Sequence, residues 1–403
     1  MIEKIGVTRR GVLRAGLAGT SISVIGARTY AANPIKIGMP LALTGPLGAV
    51  GNEQRHGAEF WAKRINAEGG LLGRPIELLI TDSGGDPATC VRKAQELVER
   101  EGCRLLFGMT LSSEALAVVP KLKEWDAIFV SSDNGDGRLT GESFVPNFFR
   151  SNISGPMGTR AVSLWLRDSP MKNFYAIGMD YAWGRGSVGV FEAEAKRAGK
   201  NILGTVFSPI GTKDFSTYIT KIRQSGAEAL FMVLAGDDNN AFLAQAKQYR
   251  LAEKVQMLTE VVDLISIRAV GDASVGLIGS TRYAYTLDNP KNKAFVAEWQ
   301  KEFGQVPDNN EGEQWQCCQI LTAGILKAGT TDTAALRTAL ETVAIDDIKG
   351  KVAMRACDHQ VIQPGFIVKV TKHEGVAVPV PEVIATYPGE RTAPGCLKMT
   401  YDD

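Results

Sequence analysis

A chain of 403 residues exceeds what one small hydrophobic core organises, so two domains are expected. Its 44% apolar and 22% charged residues are those of a globular protein, and a formal charge of +1 excludes the strongly basic face of a nucleic-acid binder. Five basic residues and one acid fall within residues 1–32, which leaves the remaining body slightly acidic.

Those first 32 residues read as an address. Thr8, Arg9, Arg10, Gly11, Val12, Leu13 and Arg14 match the twin-arginine export pattern, and a weakly apolar run follows over 15–27. That run falls short of the ~20 residues a bilayer span needs. It fits a signal removed near Ala31 or Ala32, which would place the mature chain in the periplasm. Export permits disulfides. Cys90 and Cys103 flank a predicted helix, roughly 15–20 Å apart and beyond bridging reach. Cys317 and Cys318 are helix neighbours that point different ways. The expected bridge is therefore Cys357–Cys396, clipping the C-terminal tail to the body.

In chain order, residues 35–41 alternate as a first strand, and 52–68 form a helix with Ala58, Trp61, Ala62 and Ile65 on one face. A second strand (75–81) and helix (87–100) follow, with Pro87 in the first turn. Leu105, Leu106 and Phe107 are a short buried strand that runs through Gly108 into Thr110, Ser112, Ser113 and a helix. Hydroxyls beside a helix start suit a carboxylate or small polar group; the plainer alternative is that Ser112 or Ser113 is an N-cap. Residues 127–131 are a fourth strand. The alternation then begins again, with strands near 174–179, 202–207, 229–234, 256–258 and 277–280 and helices between them. Helices near 292–303, 312–328 and 333–343 precede late strands at 352–356 and 366–370, and the Pro-rich 376–395 reads as an arm or tail. Two such blocks predict an α/β chain of two doubly wound parallel-sheet lobes, with a ligand cleft beyond the carboxyl ends of the strands.

Several segments carry a family resemblance: IKIGMPLALTGPLGAVGNEQRHGAEFWAKRINAEGGLLGRPIELLITDSGGDP, FGMTLSSEALAVVP, DYAWGRG and TKDFSTYITKIRQSGAEALFMV. In this order and spacing the chain resembles the type I periplasmic solute-binding proteins of ABC importers, in the branched-chain amino acid group. The resemblance implies a three-strand hinge, with crossings near 150–154, 279–283 and 357–363. The lobes would be 33–151 with 283–357, and 152–282 with 358–403. It also implies closure on one small molecule and transient docking of a monomer on an inner-membrane permease. The same two lobes would equally serve a receptor-coupled sensor.

Carried over by motif position, Leu111, Ser112 and Ser113 would hold a ligand carboxylate, with Asp133, Asn134 and Gly135 from the next loop. Asp133 departs from the small uncharged residue usual there, and its alternative is a turn residue facing solvent. Trp183, or Tyr181, would cover the ligand. Glu260 would receive an α-ammonium, and Asp237 is a further candidate that could instead cap a helix. Val50 stands where relatives have an aromatic, which opens space for a bulkier ligand unless Tyr283 or Tyr285 fills it. An amino acid or related amine is the first expectation; an amide or urea-like solute or an aromatic carboxylate is the second.

Enzymatic readings find little support. Gly184, Gly186 and Gly189 fit GxGxxG, but four residues separate them from the preceding strand and no acid ends the next one. There is no GxSxG, and His56, His359 and His373 are scattered. No metal-ligand spacing and no cofactor motif is present.

Overall fold

The computed structural model describes residues 33–401; the twin-arginine stretch and the expected cleavage point lie outside them. Strand β1 (Ile35–Leu41), buried along nearly its whole length, pairs in parallel with β2 (Ile76–Asp82) and β3 (Leu105–Leu106). The sheet continues through β4 (Ile128–Ser131), buried at every position, to β5 (Phe148–Arg150). The chain then builds a second parallel sheet from β6 (Asn173–Met179), β7 (Asn201–Ser208), β8 (Ala229–Val233), β9 (Gln256–Thr259) and β10 (Ile278–Thr281). It returns to the first sheet for β11 (Ala344–Asp347), β12 (Gly350–Arg355) and β13 (Gln360–Ile362). Finally β14 (Gly365–Thr371) and β15 (Val380–Tyr387) extend the second sheet antiparallel. The result is two α/β lobes.

Helix starts follow local chemistry. Asp86 accepts from Thr89 N at 2.7 Å ahead of Pro87–Glu99, with Pro at the first position, where a missing N–H costs nothing. Asp308 and Glu311 form a reciprocal capping box at the start of Asn309–Ala328. The GxGxxG glycines lie inside the Ala182–Arg197 helix and cradle no phosphate loop.

Three expectations need correction. The third crossing falls at Gln363 and Pro364 rather than after Cys357, because β13 pairs with β5 and β12 and so belongs to the first lobe. Of the two alternatives for 376–395, an ordered arm or a loose tail, the loose tail falls: β15 pairs with β14 over its whole length. Pro381 is tolerated because β15 lies at the sheet edge, where one face of the backbone needs no ladder bond. Helix Asn309–Ala328 starts three residues earlier than expected, and those residues reach the cleft.

Cys357 and Cys396 form a disulfide, with Cα atoms 6.2 Å apart. The segment after β15 packs on the second lobe through the Gly389–Thr392 turn and Tyr401, whose hydroxyl donates to Pro156 O at 2.8 Å. The bridge ties the same segment to the end of β12 in the first lobe.

The lobes meet across their loops. Asp237 N donates to Pro46 O at 3.1 Å. Gly236 has φ +57, and a Cβ there would lie 2.5 Å from Pro46 O, so this approach requires glycine on both conformational and steric grounds. Asp308 of the first lobe accepts from Leu264 N and Ile265 N of the second, each at 2.8 Å.

Candidate functional site

Between the lobes lies a narrow seam lined by both of them. It opens where the loops after β1, β3, β4, β6, β8 and β9 converge, beyond the carboxyl ends of both sheets. Of the residues expected at the site, Ser112, Asp133, Gly135, Tyr181 and Trp183 line it; Leu111, Ser113, Asn134, Asp237 and Glu260 do not.

Ser112 is not an N-cap. Leu111 takes that position, and its N–H donates to Glu114 Oε2 at 2.9 Å. Ser112 Oγ instead accepts from Gly135 N and Asp136 N, both at 3.1 Å, and so fastens the β4 loop to the helix start. Asn134 is fully buried behind the seam. Its amide donates to the carbonyl of Met109, a residue held at φ +57. The side chain thus supports a left-handed turn that a non-glycine residue adopts at a cost. Ser113 is half-buried on the helix. Asp237 is half-exposed and pairs with Lys213 at 3.2 Å.

Asp133 does not face solvent. Its carboxylate pairs with the guanidinium of Arg282, which also donates to the Asp133 carbonyl at 2.5 Å. Both side chains are nearly buried, at 12% and 6% exposure. Burial raises the Asp133 carboxyl, and the Arg282 charge opposes that rise. Arg282 follows β10 directly, on the second crossing between lobes, and lines the seam. Nothing in the surrounding GSTRYAY distinguishes it except its place on a hinge strand. On the aromatic side, Trp183 is buried, with its indole N–H on the side of the Glu260 carboxyl. Burial pushes the Tyr181 phenol well above its ordinary value, so it stays a neutral hydroxyl.

Glu260 lies behind the seam. It is fully buried beside Gly158, where a Cβ would fall 2.3 Å from its Oε1, and the Trp183 indole is its polar neighbour. Burial pushes its carboxyl up to about 7 against the pull of Arg282. The acid that lines the seam is Asp263, three residues on, which caps the Leu264–Val270 helix through Ser266 N at 2.6 Å. Facing it from the first lobe are Asn309 and Asn310. Asn310 donates to Glu53 at 2.9 Å, while both polar atoms of the buried Asn309 amide lack partners among the described residues. Sequence reasoning missed these residues, though the Asp308–Glu311 spacing that starts their helix was a readable signal.

Buried carboxyls of this kind set the pH response. Glu114, Glu260 and Glu313 are each pushed up to about 7 by burial, from an ordinary 4.5. Folded chains thus hold protons that unfolded chains have released, so unfolding loses protons and stability falls as pH rises. The contribution is full below about 4.5 and gone above about 7. Asp82 and Glu228, held below their ordinary values, act oppositely in acid. We expect the melting temperature of the ligand-free protein to peak near pH 5 and to decline toward pH 7.5. A melting temperature that climbs over that interval would contradict the protonated state of these groups.

Two facing α/β lobes meet at a polar seam beyond the carboxyl ends of their strands. The model of the periplasmic binding protein family matches residues 34–375, and the chain belongs to that family, the solute-binding proteins of ABC transporters. Leu/Ile/Val-binding protein homolog 4 of Brucella melitensis is 24% identical over 379 residues, covering 89% of each chain. Homolog 6 of Brucella suis is 25% identical over 297 residues, covering 72% of this chain and 75% of that one. A solute-binding protein of an ABC transporter from Rhodopseudomonas palustris, in complex with 3,4-dihydroxybenzoic acid, is similar in fold with a TM-score of 0.83 at 20% identity. That match covers 89% of this chain and 98% of that one. The leucine-, isoleucine-, valine-, threonine- and alanine-binding protein of Brucella ovis, in its closed conformation, matches with a TM-score of 0.80 at 21% identity over 91% and 98% of the two chains.

Proposed function

We propose that this chain, exported by the twin-arginine route and acting as a monomer, captures an amino acid or related amine in the periplasm and delivers it to an ABC permease. One observation carries the choice of ligand. The basic residue on the seam, Arg282, is already paired with Asp133, whereas the acid Asp263 shares the seam with the open Asn309 amide and has no basic partner among the described residues. A protonated amine there gains a charge-assisted hydrogen bond in a poorly solvated setting. The names of the Brucella relatives point the same way.

A second reading, an aromatic carboxylate, draws on Trp183, Tyr181 and the unpartnered Nε of Arg282, and on the dihydroxybenzoic acid held by the Rhodopseudomonas protein. Thermal-shift screening separates the two. A ligand at 100 times its dissociation constant adds ~2.7 kcal/mol. Amines and amino acids should raise the melting temperature and quench or shift Trp183 fluorescence, and Asp263→Asn should weaken them about tenfold or more. Stabilisation by hydroxybenzoates alone, undiminished in Asp263→Asn, would replace the first reading with the second.

A further inference from the structure

We propose that Asp133, docked on Arg282, stands in for the carboxylate of a ligand, so that the site takes an amine or amide carrying no carboxylate of its own. This rests on the reading that a cationic or N–H-rich group enters the seam, and it narrows that reading from amino acids to their carboxylate-free counterparts.

Three observations support it. First, several donors of the β3 and β4 loops are already used within the protein. Gly135 N and Asp136 N donate to Ser112 Oγ, Asn134 N to Ser131 Oγ at 3.2 Å, and Leu111 N to Glu114. The Thr110 hydroxyl donates to Gln54 Oε1 at 2.8 Å. A ligand carboxylate at the β4 loop would displace the bonds made by Gly135 N and Asp136 N.

Second, the charge that remains is negative. Asp133 and Asp263 line the seam against the single guanidinium of Arg282. The other buried cations nearby are Lys349, committed to Glu313 with both side chains essentially unexposed, and Arg150, which is fully buried and donates to the Asp136 carbonyl. Adding an anion to this setting costs repulsion in a medium that screens poorly.

Third, the polar groups left open describe the ligand. The Asn309 amide offers one acceptor and one donor on the seam that Asp263 also lines. A solute with an ammonium or amide N–H at one end and a carbonyl or hydroxyl oxygen toward the other matches that set. A zwitterion adds a second negative charge for which the seam has no free counterpart.

The test is calorimetric titration of the full mature chain with matched sets: leucine, leucinamide and isoamylamine; tyrosine, tyrosinamide and tyramine; and 4-hydroxybenzoate. The wild-type chain should bind an amide or amine about tenfold or more tighter than its parent amino acid. Asp133→Asn, which keeps the shape and removes the charge, should narrow that ratio by strengthening the amino acid. Comparable affinity of leucine or tyrosine and its amide for the wild type, with both lost in Asp263→Asn, would overturn the role of Asp133 while leaving the amine reading intact. Preference for 4-hydroxybenzoate, or no binding by any member of the three sets, would overturn both. Should Asp133→Asn fail to fold, the wild-type ratio decides alone.

Discussion

Arg282→Met should give the largest loss of stability among substitutions at the seam. The guanidinium is the counter-charge of Asp133 and lies near Glu260 and Glu313, all of them buried. Removing it leaves acids without compensation in the interior, a change that typically costs about 3–5 kcal/mol. Denaturant midpoints measured at pH 7.5 should drop accordingly. The loss should shrink near pH 5, where protons neutralise the orphaned carboxyls. Asp133→Asn combined with Arg282→Met should recover part of it, because the two groups interact directly. A single Arg282→Met variant as stable as the wild type at pH 7.5 would mean that the Asp133 carboxyl is neutral and the pair contributes nothing.

The Lys349–Glu313 pair makes the second strong case. Its side chains are 0% and 1% exposed, and burial drives both groups toward their neutral forms, the lysine downward and the glutamate upward. Lys349→Met alone removes the partner of a fully enclosed carboxyl and should cost about 3 kcal/mol or more, visible as a lower urea midpoint with unchanged slope. Glu313→Leu with Lys349→Met should restore the midpoint or exceed it, since neither ion then has to be desolvated. If the double variant is as unstable as the single one, the pair supplies specific packing that an apolar replacement does not reproduce.

Much of the architecture was legible in the chain because parallel strands buried on both faces leave unbroken apolar runs, and their helices leave stripes at three- and four-residue spacing. β4 and β8 show this in pure form, with every position buried. Elements of two to four residues escaped where pairing, not local preference, defines them: β5 and β13 are three residues each, and Gln360 opposite Arg150 is their only registered partnership. Prolines misled at β15, where an edge position removes their usual penalty. At the site, the loops after strand ends were readable, and they delivered Ser112, Asp133, Gly135, Tyr181 and Trp183 to one cavity. Arg282 was not readable, because its role comes from a partner 149 residues away. Glu260 and Asp263 exchanged roles for a local reason. Glu260, next to the end of β9, is enclosed, and Asp263, capping the next helix, lines the seam.

The bridge from Cys357 to Cys396 changes how the halves are tethered. Three passages of backbone run between the sheets, and the sulfur link supplies a fourth covalent route, from β15 through the tail to the end of β12. Four tethers restrict the swing of one half against the other more than three do, and a narrower swing leaves less rotational freedom to surrender when a solute is captured. A reducing agent would therefore change the breadth of the unliganded ensemble without altering any residue that touches the solute.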